Sequence, residues 1–494
     1  MRDFSGLPDL ASSRLGGAVV GVNDEFFAPA ANLLQPTAPE FREGEYTDRG
    51  KWMDGWETRR RREPGHDWCV IRLGLPGVVR AITVDTTHFE GNYPDSYSLE
   101  GCFLSDEEGE TESWPWFELS PKTSLEGDTP NEFDIGPTPL VSHIRLNIHP
   151  DGGVARLRVH GYPIPDWAHA GADQIDLASH AAGGLVVDCS DKFFSSPSNL
   201  LLPSEARGMW DGWETRRRRG EGHDWVVVKL GAHSKLSHLT VDTSFFKGNA
   251  PGSCSVEGAL AVEGEEVPWV AILSESALKA DSVNEFALSD EPGPFSHVRL
   301  NIMPDGGVAR FRVLGSIDDA ELERRSVQRF NLLPLEAATS ELLACCESGV
   351  WAARVAGERP MASLEELIKV SDEAWEEAGP EEWLAAADSH PRIGERFEDA
   401  KTSRFRLFSA REQAAAGDGD TETIRRLLDG QQAYEHQFGH RFIVFASGKS
   451  ASEILEILEE RLSNDAEAET LITGEELAKI TRLRLNRLIV AEAA

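Results

Sequence analysis

The sequence lacks any apolar run near the roughly 20 residues that an α-helix needs to cross a bilayer, so we expect no membrane association. Its start, MRDFSGLPDLASSRLGG, lacks the basic block and following apolar block of a secretory signal peptide. Cysteine is scarce, with six residues and no CxxC pair. A disulfide framework is therefore not indicated, and we expect reduced thiols and a cytoplasmic location.

Positive charge is also in short supply. The chain has 49 Lys and Arg residues against 84 Asp and Glu residues, a formal net charge of -35. Such a chain repels the phosphate backbone of nucleic acid at long range, so we expect no nucleic-acid partner. A small anion is not excluded, because local arginines outweigh the distant field at short range.

What the sequence does contain is an internal duplication. The segment DGWETRRRR occurs at residues 54–62 and again, letter for letter, at 211–219. Two longer segments are duplicated as well: TVDTTHFEGN (83–92) with TVDTSFFKGN (240–249), and HIRLNIHPDGGVARLRVHG (143–161) with HVRLNIMPDGGVARFRVLG (297–315). Copies of this length indicate a duplicated domain rather than a solenoid.

Within each copy the pattern is typical of short strands. WCVIRLG (68–74) and WVVVKLG (225–231) are rich in β-branched residues, and AITVDT and HLTVDT follow after turn residues. PDGG lies between two alternating segments and predicts a hairpin turn. We therefore predict one antiparallel β-sandwich for each copy.

After about residue 317 the pattern becomes helical. SLEELIKVSDEAWEEA begins with Ser363, which we predict as an N-cap, and Glu366 follows three residues later. Thr473 is the predicted cap of the last helix, and SEILEILEERLSN (452–464) places its apolar residues on one face. The predicted domains are residues 1–163 and 164–316 (all-β), a linker at 317–328, and an all-α domain at 329–494.

The arginine loop, residues 59–62 and 216–219, suggests recognition of a small carboxylic acid. Guanidinium groups bind carboxylates through two parallel hydrogen bonds. Acidic and imidazole groups beside the loop are candidates for accepting N–H groups or activating water. A His and an Asp in one loop are a weak metal signal, so we predict no metal. A purely structural role for any one of these residues stays open.

These motifs, above all KWMDGWETRRRREPGHDW and TVDTTHFEGNYP, closely resemble the allantoicase family over about residues 14–316. The resemblance implies jelly-roll-like sandwiches, a homo-oligomer, and hydrolysis of allantoate to ureidoglycolate and urea. We predict these roles: carboxylate binding by Arg59 or Arg60 with Arg216 or Arg217, further binding by Asp54 and Asp211, and acid–base catalysis by Glu57 and Glu214, then His66 and His223. The copies differ where His149 is matched by Met303 and His88 by Phe245, so which copy works, or whether they share one site, stays open.

The helical part carries three notable segments: DSHPRIGERF (388–397), SAREQ (409–413) and AYEHQFGHRFIVFASGKS (433–450). A His and a Glu directed at one pocket make an acid–base pair. The alternative is that the His-Pro turn ends a helix and that SAREQ is a solvated helix face.

Together these segments resemble the 2-oxo-4-hydroxy-4-carboxy-5-ureidoimidazoline (OHCU) decarboxylase family, from FNLLP (330–334) to KITRLRL (479–485). The resemblance implies an all-helical bundle that needs no cofactor. It also implies these roles: catalysis by His390 with Glu412, loop shaping by Pro391, ring or ureido binding by Ser409 and Gln413, a pocket lined near Phe442 and Ile443, and carboxylate or carbonyl binding by Arg484, with Arg482 as the alternative.

Both families act in the conversion of urate through allantoin, but their steps are not consecutive. We therefore expect two independent sites on one chain, with allantoate and OHCU as small-molecule substrates. The alternative is that the strand-rich half is a non-catalytic binding module, or that the helical half only serves assembly.

Overall fold

The computed structural model describes residue 4 and residues 6–105, 109–169, 174–261, 268–393 and 421–490. Contacts divide the chain into two compact units. The first contains Met1–Arg325 with Leu332–Pro334, and the second contains Ser326–Asn331 with Leu335–Ala494. Among the described residues, no helix combines the length and the apolar character needed to cross a membrane.

The first repeat is built around one long strand. Its strands are β1 (Ala18–Val22), β2 (Tyr46–Thr47), β3 (Gly50–Lys51), β4 (Trp56–Glu57), β5 (Asp67–Asp85), β6 (Ser96–Cys102), β7 (Phe117–Ser124), β8 (Pro130–Asp134), β9 (Leu140–His149), β10 (Gly153–Val154) and β11 (Arg156–Pro163). The first part of β5 pairs with β1 and β9, and its second part with β8 and β11, all antiparallel. Strand β6 lies between β9 and β7.

The second repeat has the same pairing pattern. Its strands are β12 (Ile175–Asp176), β13 (Leu185–Cys189), β14 (Trp213–Glu214), β15 (Asp224–Asp242), β16 (Ser253–Ala259), β17 (Val270–Ala277), β18 (Val283–Ala287), β19 (Phe295–Met303), β20 (Gly307–Val308) and β21 (Arg310–Ser316). Strand β15 pairs first with β13 and β19, then with β18 and β21. Two sheet-rich halves are thus confirmed.

One prediction about these strands is wrong. The segments WCVIRLG and AITVDT, predicted as two strands separated by a turn, belong to the single strand β5. The chain changes partners through a register shift between Arg72 and Gly77 instead of reversing direction. A bulge of this kind bends a strand without ending it, so the Gly and Pro residues mark a bend rather than a turn.

Each repeat has its own apolar core. In the first, alternate residues of β5, β6 and β9, such as Cys69, Leu99 and Leu146, are fully buried. The arginine loops are anchored to these cores by Trp56 and Trp213, whose indole N–H groups donate to the carbonyl oxygens of Asp24 and Asp191, at 2.8 Å in both repeats. The buried tryptophan therefore holds the start of each arginine loop in place.

The second unit is helical, as predicted. Its helices, with the connecting helix α1, are α1 (Asp319–Leu332), α2 (Leu335–Leu343), α3 (Gly349–Gly357), α4 (Leu364–Ser389), α5 (Thr421–Phe438), α6 (Ala451–Arg461) and α7 (Ala466–Ile489). Helix α4 is interrupted at Gly379, whose φ of +76° favours glycine, directly before Pro380. The predicted linker at 317–328 includes the first part of α1.

Of the two predicted N-caps, the one for α4 is confirmed and the one for the last helix, α7, is wrong. Ser363 caps α4 by accepting a hydrogen bond from the N–H of Glu366 at 3.2 Å. The predicted cap at Thr473 is wrong, because α7 begins at Ala466 with Asp465 as its N-cap. Thr473 is fully buried within the helix, where its hydroxyl contacts other polar side chains.

Candidate functional sites

The arginine loop of the first repeat alternates between paired and unpaired side chains. Arg59 Nε donates to Asp24 Oδ2 at 2.6 Å, and Arg61 Nη1 donates to Asp67 Oδ1 at 2.6 Å. Arg60 is exposed and contacts no partner among the described residues. Alternate residues of an extended segment point to opposite sides, so only some of the four guanidinium groups are available to a ligand.

The second repeat reproduces this arrangement. Arg216 Nε donates to Asp191 Oδ2 at 2.8 Å, and Arg218 pairs with Asp224. Arg217 is exposed and has no partner within the described part of the chain. The structural interpretation therefore applies to the paired arginines, while ligand binding by the loop stays a prediction.

Asp54 and Asp211 form ion pairs within the fold. Asp54 Oδ2 accepts from Arg156 Nη2 at 2.6 Å, and Asp211 Oδ2 accepts from Arg310 Nη2 at 3.1 Å. Both arginines are almost fully buried. The two carboxylates therefore neutralise buried arginines within the fold. Their role in substrate binding stays a prediction.

Asp211 has a second partner from the other repeat. Arg14 pairs with its carboxylate, donates to Asn199 Oδ1 at 3.1 Å, and lies 5.6 Å from the ring of Trp210. The equivalent position in the second repeat is Ala181. An ion pair therefore joins Arg14 of the first repeat to Asp211 of the second. The reciprocal pair cannot form, because alanine carries no charge.

Glu57 and Glu214 are half-buried at equivalent places. Asn92 Nδ2 donates to Glu57 Oε1 at 2.7 Å, and Asn249 Nδ2 donates to Glu214 Oε1 at 2.6 Å. Burial raises the pKa of Glu57, against the effect of Asn92. A carboxyl group with a raised pKa is suited to proton transfer near neutral pH.

The predicted histidines contact the sheet of their own repeat. The ring of His66 lies 4.9 Å from the ring of His149, and His149 Nε2 lies 3.0 Å from Ser98 Oγ. His223 Nε2 lies 3.2 Å from Asn301 Oδ1. Sequence reasoning missed the polar residues beside them on β6 and β9, although their alternation is visible in SYSLEGC and HIRLNIH.

In the helical unit, His390 ends helix α4 and is 5% exposed. Its Nδ1 lies 2.9 Å from the carbonyl oxygen of Ala386, which can only accept, so Nδ1 carries the proton. Burial, followed by the charge of Arg484, lowers the pKa of His390 to about 3. The neutral ring therefore offers Nε2 as a proton acceptor.

One cavity brings together several of the residues predicted for this unit: His390, Pro391, Phe442, Ile443 and Arg484. Arg484 is 1% exposed, and its Nη1 donates to Cys345 O at 3.3 Å. Arg482 instead bonds to Asp372 at 2.7 Å and is absent from the cavity lining, so the geometry favours Arg484. Ser409, Glu412 and Gln413 lie outside the described residues.

No group of three or more His, Cys, Asp or Glu side chains in the described part of the chain is arranged to hold a metal ion.

Two family models match the chain. The allantoicase repeat model matches residues 8–164 and 175–318, and the OHCU decarboxylase model matches residues 331–486.

Individual proteins are similar to each half. A probable allantoicase of Pseudomonas syringae pv. syringae is 45% identical over 323 residues, which cover 64% of this chain and 97% of that protein. The crystal structure of an allantoicase from Saccharomyces cerevisiae is 37% identical, covers 62% of this chain and 92% of its own, and has a TM-score of 0.55. A crystal structure of OHCU decarboxylase in the presence of (S)-allantoin is 27% identical, covers 30% of this chain and 97% of its own, and has a TM-score of 0.27.

Proposed function

The chain belongs to the allantoicase family and carries an OHCU decarboxylase domain at its C-terminus, and on that premise we propose one reaction for each half. The N-terminal half hydrolyses allantoate to ureidoglycolate and urea, and the C-terminal half decarboxylates OHCU to (S)-allantoin. The match to both families is the observation that carries this proposal. The two domains support a bifunctional enzyme of purine degradation and do not favour the alternative of a non-catalytic binding module.

For the allantoate reaction, the unpaired arginines are the best carboxylate ligands. Arg60 and Arg217 have guanidinium groups that no described residue engages, so they bind without breaking an existing ion pair. Arg59 and Arg216 use Nε for an aspartate and keep their outer nitrogens for a second contact. A charge-assisted hydrogen bond of this kind contributes about 1.5–3 kcal/mol.

Proton transfer in this half requires an acid–base side chain beside the substrate. The raised pKa of Glu57 supports it as a first candidate, and Glu214 is the other because it occupies the equivalent position beside Asn249. His66 and His223 are the second. Urea leaves the central carbon with a proton, and water supplies the hydroxyl group of ureidoglycolate.

For the OHCU reaction, the cavity at the end of α4 supplies a neutral base and a buried cation. Arg484 holds the carboxylate or carbonyl of the substrate, and His390 accepts a hydrogen bond or proton. The bond from the ring carbon to the departing carboxylate breaks, and its electron pair moves towards the adjacent ring carbon that carries the ureido group. Glu412 donates a proton to that adjacent carbon, and the ring hydroxyl gives its proton to His390 as the carbonyl of (S)-allantoin forms. Fixed charges and donors that line an enclosed cavity are effective because they need little reorientation during the reaction.

The finer features of the protein are inferences of the same kind. The division of β5 and β15 between two sets of partners supports a jelly-roll form for each repeat. A homo-oligomer, a cytoplasmic location, an amidine-hydrolase class for the first reaction and a carboxy-lyase class for the second rest on the family resemblances.

The full chain tests the proposal directly. We expect urea from allantoate, with or without a chelator, and (S)-allantoin from OHCU. Because nothing in the proposal opens the allantoin ring, OHCU alone should give no urea until an allantoinase is added. A purified chain that releases no urea from allantoate would refute the first activity, and urea from OHCU alone would refute the independence of the two sites.

A further inference from the structure

The first repeat carries polar side chains on the sheet face turned away from its core. In the register of β6 with β9, Ser98 lies opposite Asn147 and Glu100 lies opposite Arg145. Because side chains alternate along a strand, these four share one face while neighbours such as Leu146 fill the core. With His66 and His149 they form what we call the outer-face cluster.

The cluster presents an ionised carboxylate with one oxygen to spare. Arg145 Nε and Asn147 Nδ2 both donate to Glu100 Oε2, at 2.7 and 2.9 Å. Burial alone would raise the pKa of Glu100, but these hydrogen bonds outweigh it and lower the pKa. Glu100 Oε1 accepts no hydrogen bond from the described residues, which leaves it available to the N–H groups of a ureido substrate.

The cluster also contains a neutral imidazole. Burial, then the nearby charges of His66 and Lys122, lowers the pKa of His149 to about 4. At neutral pH His149 is therefore a base, hydrogen-bonded to Ser98 and tilted by 50° against the ring of His66.

The cluster borders the groups already proposed to bind substrate. His149 directly precedes the PDGG turn at 150–153, and Glu57 pairs with Gly153 at the other end of that turn. Asp151, within the turn, accepts a hydrogen bond from the N–H of Arg61 in the arginine loop at 2.9 Å. One short turn thus connects the arginine loop, Glu57 and the cluster.

The second repeat keeps this framework but loses the base. Its Arg299 and Asn301 both donate to Glu257 Oε2, at 2.7 and 3.0 Å, as in the first repeat. In the register with β16, however, Met303 occupies the place that His149 has beside β6. A thioether cannot transfer protons, so the two repeats are not chemically equivalent.

We propose that urea leaves allantoate at the outer-face cluster of the first repeat, with His149 as a catalytic residue and Glu100 as the ligand of a ureido group. This inference rests on the proposed allantoate reaction and assigns it to one repeat. His149 takes the N–H proton of the retained ureido group while the bond from the central carbon to the other ureido nitrogen breaks. The electron pair forms a C=N bond, and the proton passes from His149 to the departing urea.

Water completes the reaction at the same imidazole. It adds to the carbon of the C=N bond, and its proton returns through His149 to the nitrogen. The product is ureidoglycolate, and His149 ends in the state in which it began. All atoms come from allantoate and one water molecule, and no oxidant or further reactant is needed.

The decisive variant is His149→Met, which gives the first repeat the residue that the second already carries at this register. We expect kcat for urea release from allantoate to fall about 100-fold or more, the range lost with a general acid–base group, while KM changes less than about threefold. OHCU decarboxylation by the same chain should be unchanged, and an unchanged thermal unfolding of the strand-rich unit shows that the variant is folded. Met303→His is the reciprocal control and should cause no loss.

A second matched pair tests the ligand. Glu100→Gln should raise KM for allantoate about tenfold or more, because a charge-assisted hydrogen bond is lost, whereas Glu257→Gln should leave it near the parent value. Equal loss in both variants would overturn the assignment to the first repeat. If the parent releases no urea, the proposed reaction and this inference both fall; if it does and His149→Met keeps its kcat, only this inference falls.

Discussion

The two units of the protein place their reactive groups in opposite ways. In the helical unit, His390 and Arg484 are almost fully buried and line one cavity. In the strand-rich unit, Arg60 lies on an exposed loop, and Glu57, Glu100 and His149 are half-buried. Burial is the largest cause of the lowered pKa of His390, whereas hydrogen bonds and the charge of Arg145 lower the pKa of Glu100 against its burial. The predictions below test that difference.

The largest effect is expected for His390→Ala. Loss of a buried acid–base group should lower kcat for OHCU about 10²–10⁴-fold, and allantoate turnover by the same chain should not change. The measurement is formation of (S)-allantoin against the uncatalysed decay of OHCU. A His390→Ala chain that still accelerates this decay would remove His390 from the mechanism.

Arg484 and Arg482 form a matched pair two residues apart on α7. Arg484→Ala should lower kcat/KM for OHCU about 30–150-fold, because a buried charged hydrogen-bond donor contributes roughly 2–3 kcal/mol. Arg482→Ala removes only a bond to Asp372 on the surface and should change kcat/KM less than about threefold. Equal effects would show that the cavity is not where the substrate carboxylate binds. Thermal unfolding of both variants separates binding from stability.

The arginine loop offers a second pair. Arg60→Ala should raise KM for allantoate about tenfold and leave the melting temperature unchanged, because Arg60 has no described partner. Arg61→Ala should instead lower stability by about 1–3 kcal/mol, because Asp67 is buried and loses a charged donor. Steady-state kinetics with thermal unfolding distinguish the two. A lower melting temperature for Arg60→Ala would contradict the alternation along the loop.

The smallest effect is a dependence on pH. An exposed histidine titrates near 6.5, but the pKa of His390 is lowered to about 3, so the ring stays neutral from pH 8 to well below 6. We expect no loss of kcat/KM for OHCU near pH 6.5 from this group. Below about pH 6.5 the unfolded chain binds a proton that the folded chain does not, so the free energy of unfolding should fall as the pH decreases. Chemical denaturation between pH 5 and 8 measures this slope, and a stability that rises on acidification would contradict it.

Much of this comparison could be read from the sequence. The duplication predicted two similar strand-rich halves, because a repeated segment is visible in the sequence itself. The resemblance of the helical motifs to the OHCU decarboxylase family singled out His390, Pro391, Phe442, Ile443 and Arg484, which line one cavity in the structure. The roles of these residues, and of the three that lie outside the described part of the chain, remain predictions.

Other features depend on contacts that a local pattern does not contain. The bond between Asp54 and Arg156 joins residues about a hundred positions apart, so Asp54 looked available to substrate. Thr473 resembled a cap, but Asp465 lies at the actual start of α7. The alternation on β6 and β9 was visible, but which face turns away from the core is decided only by packing.

The ion pair of Arg14 with Asp211 has a consequence for the history and the engineering of this chain. A duplicated domain can in principle be cut apart, yet this contact makes the second repeat rely on a side chain that only the first supplies. The second repeat expressed alone would keep Arg310 beside Asp211 and lose the other cation. Exchanging the second repeat alone would therefore require a partner for Arg14 in its replacement.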